Sequence, residues 1–212
     1  MAAFSGFANE AFEFYAGLER DNTKAYWASH KKTYDEYVRD PMRALLAELE
    51  PEFGTAKVFR PHRDIRFSAD KSPYKTHQGA IAGPSPGIGF YVQVDADGLL
   101  VGGGFHSHSG AQVDRYRTAV DADSTGAALA EIVRELDADG FQLEGERLKT
   151  RPRGIAADHP RITLLRHKSL MELKQHGRPP WVGTRAALDE VRAGWRALLP
   201  LNDWITANVG AA

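Results

Sequence analysis

Between positions 60 and 77 the chain sets three arginines (Arg60, Arg63, Arg66), two lysines (Lys71, Lys75), two aspartates (Asp64, Asp70), two histidines (His62, His77) and Tyr74 into one short stretch. Guanidinium groups present planar donors that grip phosphate or carboxylate oxygens in pairs and stay charged at every physiological pH. Arg60, Arg63, Arg66 and Lys71 are therefore candidate ligand-binding residues for a small anion. In a fully extended chain, Arg60, His62, Asp64, Arg66 and Ser68 share one face, while Arg63, Ile65 and Phe67 share the other. That geometry puts Arg66 and Asp64 beside a cleft, anchors Phe67 in the core and leaves Arg60 or Arg63 to complete a two-arginine clamp. Asp64 has two readings. It orients a guanidinium through paired hydrogen bonds, or it is a general base with Tyr74 or His77 as the acid. Asp64, Tyr74 and His77 are thus the candidate catalytic residues, and Asp70 reads as a turn former. The opposing reading is a lattice of salt bridges that pins a loop to a sheet and binds nothing.

The net charge of the 212 residues is -1, but the charge is unevenly spread. Residues 57–78 carry six Lys or Arg against two acids, and residues 147–178 carry nine against two. If the fold joins these segments, Lys149 and Arg153, with Arg151, His167 and Lys168 nearby, form a second wall around an anion. The same residues also suit a nucleic-acid backbone or an acidic protein partner, which defines an alternative: a non-enzymatic interaction module. Near-zero total charge and the lack of a nucleic-acid motif argue against nucleic acid.

No cysteine is present, so thiol catalysis and thiolate metal sites are excluded. There is no apolar run of membrane-spanning length, and residues 1–7 lack the pattern of a signal peptide, so the expected location is cytoplasmic. No motif names a cofactor. His106 and His108 share a strand face and, with His77 or Asp114, have the chemistry of a weak metal set; solvated histidines at a strand end are the simpler reading, and no metal site is assigned. Gly102-Gly103-Gly104 lacks the Gly-Lys-Ser/Thr of a phosphate loop and points to close backbone approach. Ser68 and Ser72 lack the context of a serine nucleophile.

The elements that must position these residues follow from periodicity. Helical spacing covers residues 9–18, and Asp21-Asn22-Thr23 supplies cap chemistry for a longer helix with Tyr26, Trp27, His30, Tyr34, Tyr37 and Val38 as its stripe. Asp40-Pro41 kinks that helix or starts the next, and Pro51 marks the end. Residues 88–94 and 99–105 alternate around Asp97-Gly98 and predict a hairpin. Shorter strands are expected at 56–59, 65–68 and 76–82, with residues 83–87 as a turn cluster or flap. Helices follow at 113–120 and 127–136, a basic loop at 148–159, a strand at 161–165, a short helix at 168–175 and a last helix at 184–199 that continues towards Trp204. The expected class is α+β: a central antiparallel sheet flanked by N-terminal and C-terminal helices, in a single domain over 1–212.

The stretch resembles the signature of the DUF2461 family, conserved bacterial and fungal proteins of about this length. Arg60, Arg63, Asp64, Arg66, Phe67, Asp70, Lys71 and Tyr74 fill the places of its Arg-x-x-Arg-Asp-x-Arg-Phe hallmark and the Asp, Lys and Tyr that follow. Residues 4–18 look like its opening, residues 22–34 like its Asn-x-x-x-x-Trp segment, Gly102-Gly103-Gly104 with Arg117 like its middle, and Leu148-Lys149 with Pro152, Gly154, His159 and Pro160 like its later basic stretch. His106-Ser107-His108 departs from the aromatic or proline-containing sequence expected there. The resemblance implies an identity without a mechanism, and makes the two basic segments parts of one layout.

Overall fold

Apolar side chains at helical spacing build the first elements of the computed structural model, which describes residues 3–64, 66, 70–85, 87–106 and 109–210. Helix α1 (Asn9–Arg20) buries Phe12, Phe14, Tyr15 and Leu18. The Thr23 side chain accepts the Tyr26 N–H and caps α2 (Lys24–Thr33). The chain then passes without a break through a π-helical segment, Tyr34–Arg39, into α3 (Asp40–Phe53). The wide turn directly precedes Pro41, whose ring has no N–H to give and crowds the carbonyl four residues back. Of the predicted stripe, Trp27, Tyr34 and Val38 are buried. Pro51 does not end the helix: α3 loses one hydrogen bond in its last turn and stops at Gly54, whose φ of 82° terminates it.

The sheet contains β1 (Ala56–Val58), β2 (His77–Ser85), β3 (Ile88–Asp95), β4 (Gly98–Phe105), β5 (Gln142–Glu144) and β6 (Leu170–Gly177) in the order β1-β2-β3-β4-β6-β5. It is antiparallel, and the molecule is α+β. On β3, Phe90, Val92 and Val94 are buried while Tyr91, Gln93 and Asp95 are half-buried, the alternation of a sheet with unlike faces. The predicted hairpin is present, and β2 runs on through the first part of the predicted 83–87 flap. Of the strand predicted at 65–68, only Arg66 is among the described residues, and it lies in a bend.

Beyond the hairpin come α4 (Gly110–Asp121), α5 (Asp123–Ala138), a helical turn α6 (Ile162–Leu165), a 3-10 turn (Pro180–Gly183), α7 (Ala186–Ala197) and α8 (Leu199–Asn208). Two expectations are reversed here. Residues 161–165 are helical rather than extended, and most of 168–175 is strand β6 rather than helix. In β6, buried Leu170 and Glu172 alternate with half-buried Met171 and Leu173, so the period is two. A short apolar run does not separate strand from helix until its neighbours are known, and β6 gains β5 as a partner through Leu143↔Glu172.

The chain divides into two compact units, each assembled from separate segments. The first comprises Met1–Ala82, Tyr91–Val101 and Gln175–Ala193; its core includes Phe14, Trp27, Tyr34, Met42 and Leu49. In the second, Gly83–Phe90, Gly102–Lys174 and Gly194–Ala212, Trp204 donates to the Thr125 carbonyl at 2.9 Å and the buried Tyr116 hydroxyl donates to the Leu164 carbonyl at 2.8 Å. Among the described residues no helix is long and apolar enough to cross a membrane.

Candidate functional site

The ladder between β1 and β2 does not stop at Val58↔Ala80. It resumes as a bridge between His62 and Tyr74, flanked by Arg63 N–H to the Pro73 carbonyl (2.9 Å) and Lys75 N–H to the Pro61 carbonyl (2.8 Å). Between these two pairs the first strand advances four residues and the second six. Phe59 N–H still meets the Gly79 carbonyl, so the surplus is a bulge at Thr76, His77 and Gln78 opposite Arg60, the kind of irregularity that re-aims side chains.

Tyr74 is the fixed point of this bridge. Its ring stacks on Trp27 with centroids 4.2 Å apart and planes 8° from parallel. Asn22 Nδ2 donates to the Tyr74 carbonyl at 2.9 Å, and Asn22 Oδ1 accepts the Tyr74 N–H at 3.1 Å. The Asn-x-x-x-x-Trp segment at the start of α2 is therefore the socket that seats the signature tyrosine.

The signature's charges separate into inner and outer groups. Arg66 grips Asp64 with both sides of its fork, Nε to Oδ1 at 2.9 Å and Nη2 to Oδ2 at 2.6 Å, and its side chain is 76% exposed. These bonds hold the Asp64 carboxyl below the usual carboxylate range. Asp70 is the predicted turn former: it accepts the Ser72 N–H and hydroxyl at 2.8 and 2.6 Å, also takes Arg63, and titrates at about 2. Lys71 is exposed.

Nearer the sheet, Lys75 is half-buried with its ammonium 5.1 Å from the Phe59 ring centroid. Burial and then Arg60 push its pKa down. Neither Arg60 nor Lys75 makes an ion pair with another described residue. His77 is held towards its neutral form by burial, then by Lys75, with Arg63 adding to this and Asp95 opposing it. Lys75 thus lies within electrostatic reach of Arg60 and of His77, and His77 within reach of Arg63, which is itself paired with Asp70. From the sequence Lys75 is only an added point charge beside the arginines; its seat over Phe59 depends on strand register, which leaves no signature in residue types.

Polar residues continue along β3. The Tyr91 hydroxyl donates to Gln93 Oε1 at 2.6 Å, and Gln93 Nε2 donates to Asp95 Oδ2 at 2.7 Å. Asp95 Oδ1 also accepts the N–H groups of Asp97 and Gly98 in the hairpin turn. The Tyr34 hydroxyl donates to Gln78 Oε1 at 2.7 Å, and Gln78 Nε2 reaches the carbonyls of Phe59 and Gly79. Tyr15, 1% exposed, has a hydroxyl without a hydrogen-bond partner. Sequence reading missed this row, although polar residues alternating with Phe90, Val92 and Val94 were its visible signal.

Lys149 and Arg153 are exposed and belong to the second unit. In that unit Arg166 donates to the carbonyls of Leu148 and Lys149, and Arg161 to those of Val120 and Asp121, so part of the second basic segment fastens its own backbone. His106 is exposed and His108 lies outside the described residues; among the described residues no three side chains group as a metal site. A depression of about 450 Å³ in the first unit, lined by Phe4, Glu36, Asp40 and Arg43, does not involve the signature.

None of the curated proteins compared matches the chain. The family described as a conserved hypothetical protein, DUF2461, matches residues 10–204. With nearly its whole length matched and the signature tyrosine seated by Asn22 and Trp27, the chain belongs to the DUF2461 family.

Proposed function

We propose that this protein binds a small molecule bearing phosphate or carboxylate, with Arg60, Arg63, Lys75 and His77 as the contacts of the anion. The observation that carries this reading is Lys75: a half-buried ammonium beside Arg60, with no carboxylate among the described residues paired to either. Crowded like charges repel, and an oxyanion between them removes that repulsion while using the donors. Arg66 has both sides of its fork on Asp64 and stands outside this group, whereas Arg63 gives one nitrogen to Asp70 and keeps other donors for the anion. Of the three catalytic candidates, His77 alone combines half-burial with cationic neighbours. Asp64 is fastened to Arg66, and Tyr74 to Asn22 and Trp27.

Thermal unfolding in inorganic phosphate, sulfate and small dicarboxylates tests the proposal. At an anion concentration 100 times its Kd, the midpoint rises by about 5–10 °C in the wild type and not in Lys75→Gln. No rise with any of these anions overturns it. The rival reading, an exposed surface for nucleic acid or an acidic protein, predicts instead salt-sensitive binding of a polyanion that depends on the exposed Lys71, Lys149 and Arg153 and survives Lys75→Gln.

A further inference from the structure

Three lysines among the described residues are half-buried: Lys75, Lys168 and Lys174. Lys168 reaches the Glu146 carboxylate, and Lys174 donates to the Asp139 carbonyl at 2.7 Å. Lys75 has three protons to give and meets no acceptor among the described residues. Its ammonium faces the Phe59 ring instead, 5.1 Å from the centroid. A ring face attracts a cation but does not stand in for hydrogen bonds lost from water.

The backbone adds a like charge to that setting. The Lys75 N–H bonds the Pro61 carbonyl, which puts Lys75 across the ladder from the residue next to Arg60. Burial and then Arg60 both act against the ammonium. A lysine partly withdrawn from water beside a second cation is an amine whose lone pair is open for attack, the state in which lysine is a nucleophile. The exposed Lys24, Lys57 and Lys149 have water around their charge and stay protonated.

Resting on the anion-binding reading above, we infer that Lys75 condenses with a carbonyl group of the ligand, which is then a small aldehyde or ketone bearing a carboxylate or phosphate. Arg60 and Arg63 hold the oxyanion while Lys75 Nζ attacks the carbonyl carbon. The nitrogen lone pair forms the C–N bond, the C=O π pair moves to oxygen, and a proton passes from nitrogen to that oxygen. His77, two residues on and shifted towards its neutral form, is the carrier of that proton. The carbinolamine takes up one proton, loses water and leaves a C=N bond protonated at nitrogen. No oxidant or reductant enters, and the iminium bears the charge that the ammonium had, so the oxyanion keeps its cationic neighbour.

Reductive capture tests the inference. The wild type is incubated at pH 6.5 with glyoxylate and sodium cyanoborohydride, which reduces the protonated imine to a stable secondary amine, and the modified lysines are located by peptide mass mapping. Lys75 is captured at least about tenfold faster than any exposed lysine. Inorganic phosphate slows that capture, and acetaldehyde, which has no oxyanion, loses the preference. In Lys75→Arg the exposed lysines react as before and the fast capture is gone. Even capture over all lysines, in a protein that phosphate still stabilises against heat, overturns the inference and leaves the anion site standing. Preference for Lys75 that acetaldehyde reproduces and phosphate does not slow also overturns it, since the amine then reacts without an anion site. Even capture with no thermal response to phosphate removes the anion site and the inference together.

Discussion

The Tyr74 ring lies flat on Trp27 while Asn22, five residues before that tryptophan, closes a two-way hydrogen bond on the Tyr74 backbone. Two patterns far apart in sequence are thus halves of one joint, and the joint fixes where the Arg63 and Lys75 backbones pair across the loop. Asn22→Ala leaves the Tyr74 N–H and carbonyl unmatched and lowers stability by about 1–3 kcal/mol. Trp27→Ala empties more of the core and lowers it by about 3–5 kcal/mol. Urea unfolding measures both, and an unchanged midpoint in Asn22→Ala would show the clamp to be dispensable.

Sulfate binding should strengthen as pH falls. Burial and then Lys75 shift the free His77 towards its neutral form, with Arg63 adding to this and Asp95 opposing it. A bound dianion offsets those cations and favours the imidazolium, so binding takes up a proton. Sulfate keeps its charge across the range, which leaves the protein as the titrating partner. Affinity rises about five- to tenfold from pH 7.5 to 5.5 in the wild type and stays flat in His77→Gln. A flat wild-type profile would remove His77 from the site.

How far the sequence reveals this molecule depends on whether a pattern is local. The hairpin was legible because Ile88, Phe90, Val92 and Val94 alternate over a full strand. Its glycine has a second reason to be there: a Cβ on Gly98 would stand 2.0 Å from the Gly177 carbonyl oxygen. The bidentate Asp64–Arg66 pair and the Asp70 turn also follow from residues two apart. The bulge was not legible, since it arises from the register of β1 against β2; in that register Lys75 stands near Arg60, and His77 is within electrostatic reach of Lys75 and Arg63. Helical spacing places Tyr15 on the first helix, and it is buried there; only three-dimensional packing shows its hydroxyl unmatched.

Close backbone approach, expected from Gly102-Gly103-Gly104, has a sharp test at Gly104. Its φ is 131°, and a Cβ there would stand 2.1 Å from the Leu170 carbonyl oxygen in the next strand. Neither conflict is relieved by rotating a side chain. Gly104→Ala therefore destabilises by about 3 kcal/mol or more. Gly110, at the start of α4, has nothing within 4 Å of the corresponding position, and Gly110→Ala leaves the unfolding midpoint unchanged or slightly raised. Similar midpoints for the two variants would contradict the β4–β6 geometry.

Glu172 gives the fold a pH dependence that strand β6 alone explains. The residue is 1% exposed, both carboxylate oxygens lack partners, and burial, with Asp137 adding to it, raises the carboxyl to about 7. The folded state therefore prefers the neutral acid, whereas the unfolded chain ionises near the ordinary glutamate value. Stability from this residue is full below that value and is lost as pH rises towards 7. His77 and His167, both lowered chiefly by burial, change in the opposite sense over part of this range, so the informative quantity is the difference between wild type and Glu172→Gln. That difference grows in favour of the variant from pH 5 to 7.5 and reaches about 2 kcal/mol after allowance for solvent screening. Urea titrations at four pH values measure it; a difference that does not change with pH would mean that Glu172 finds a partner or water in the folded state.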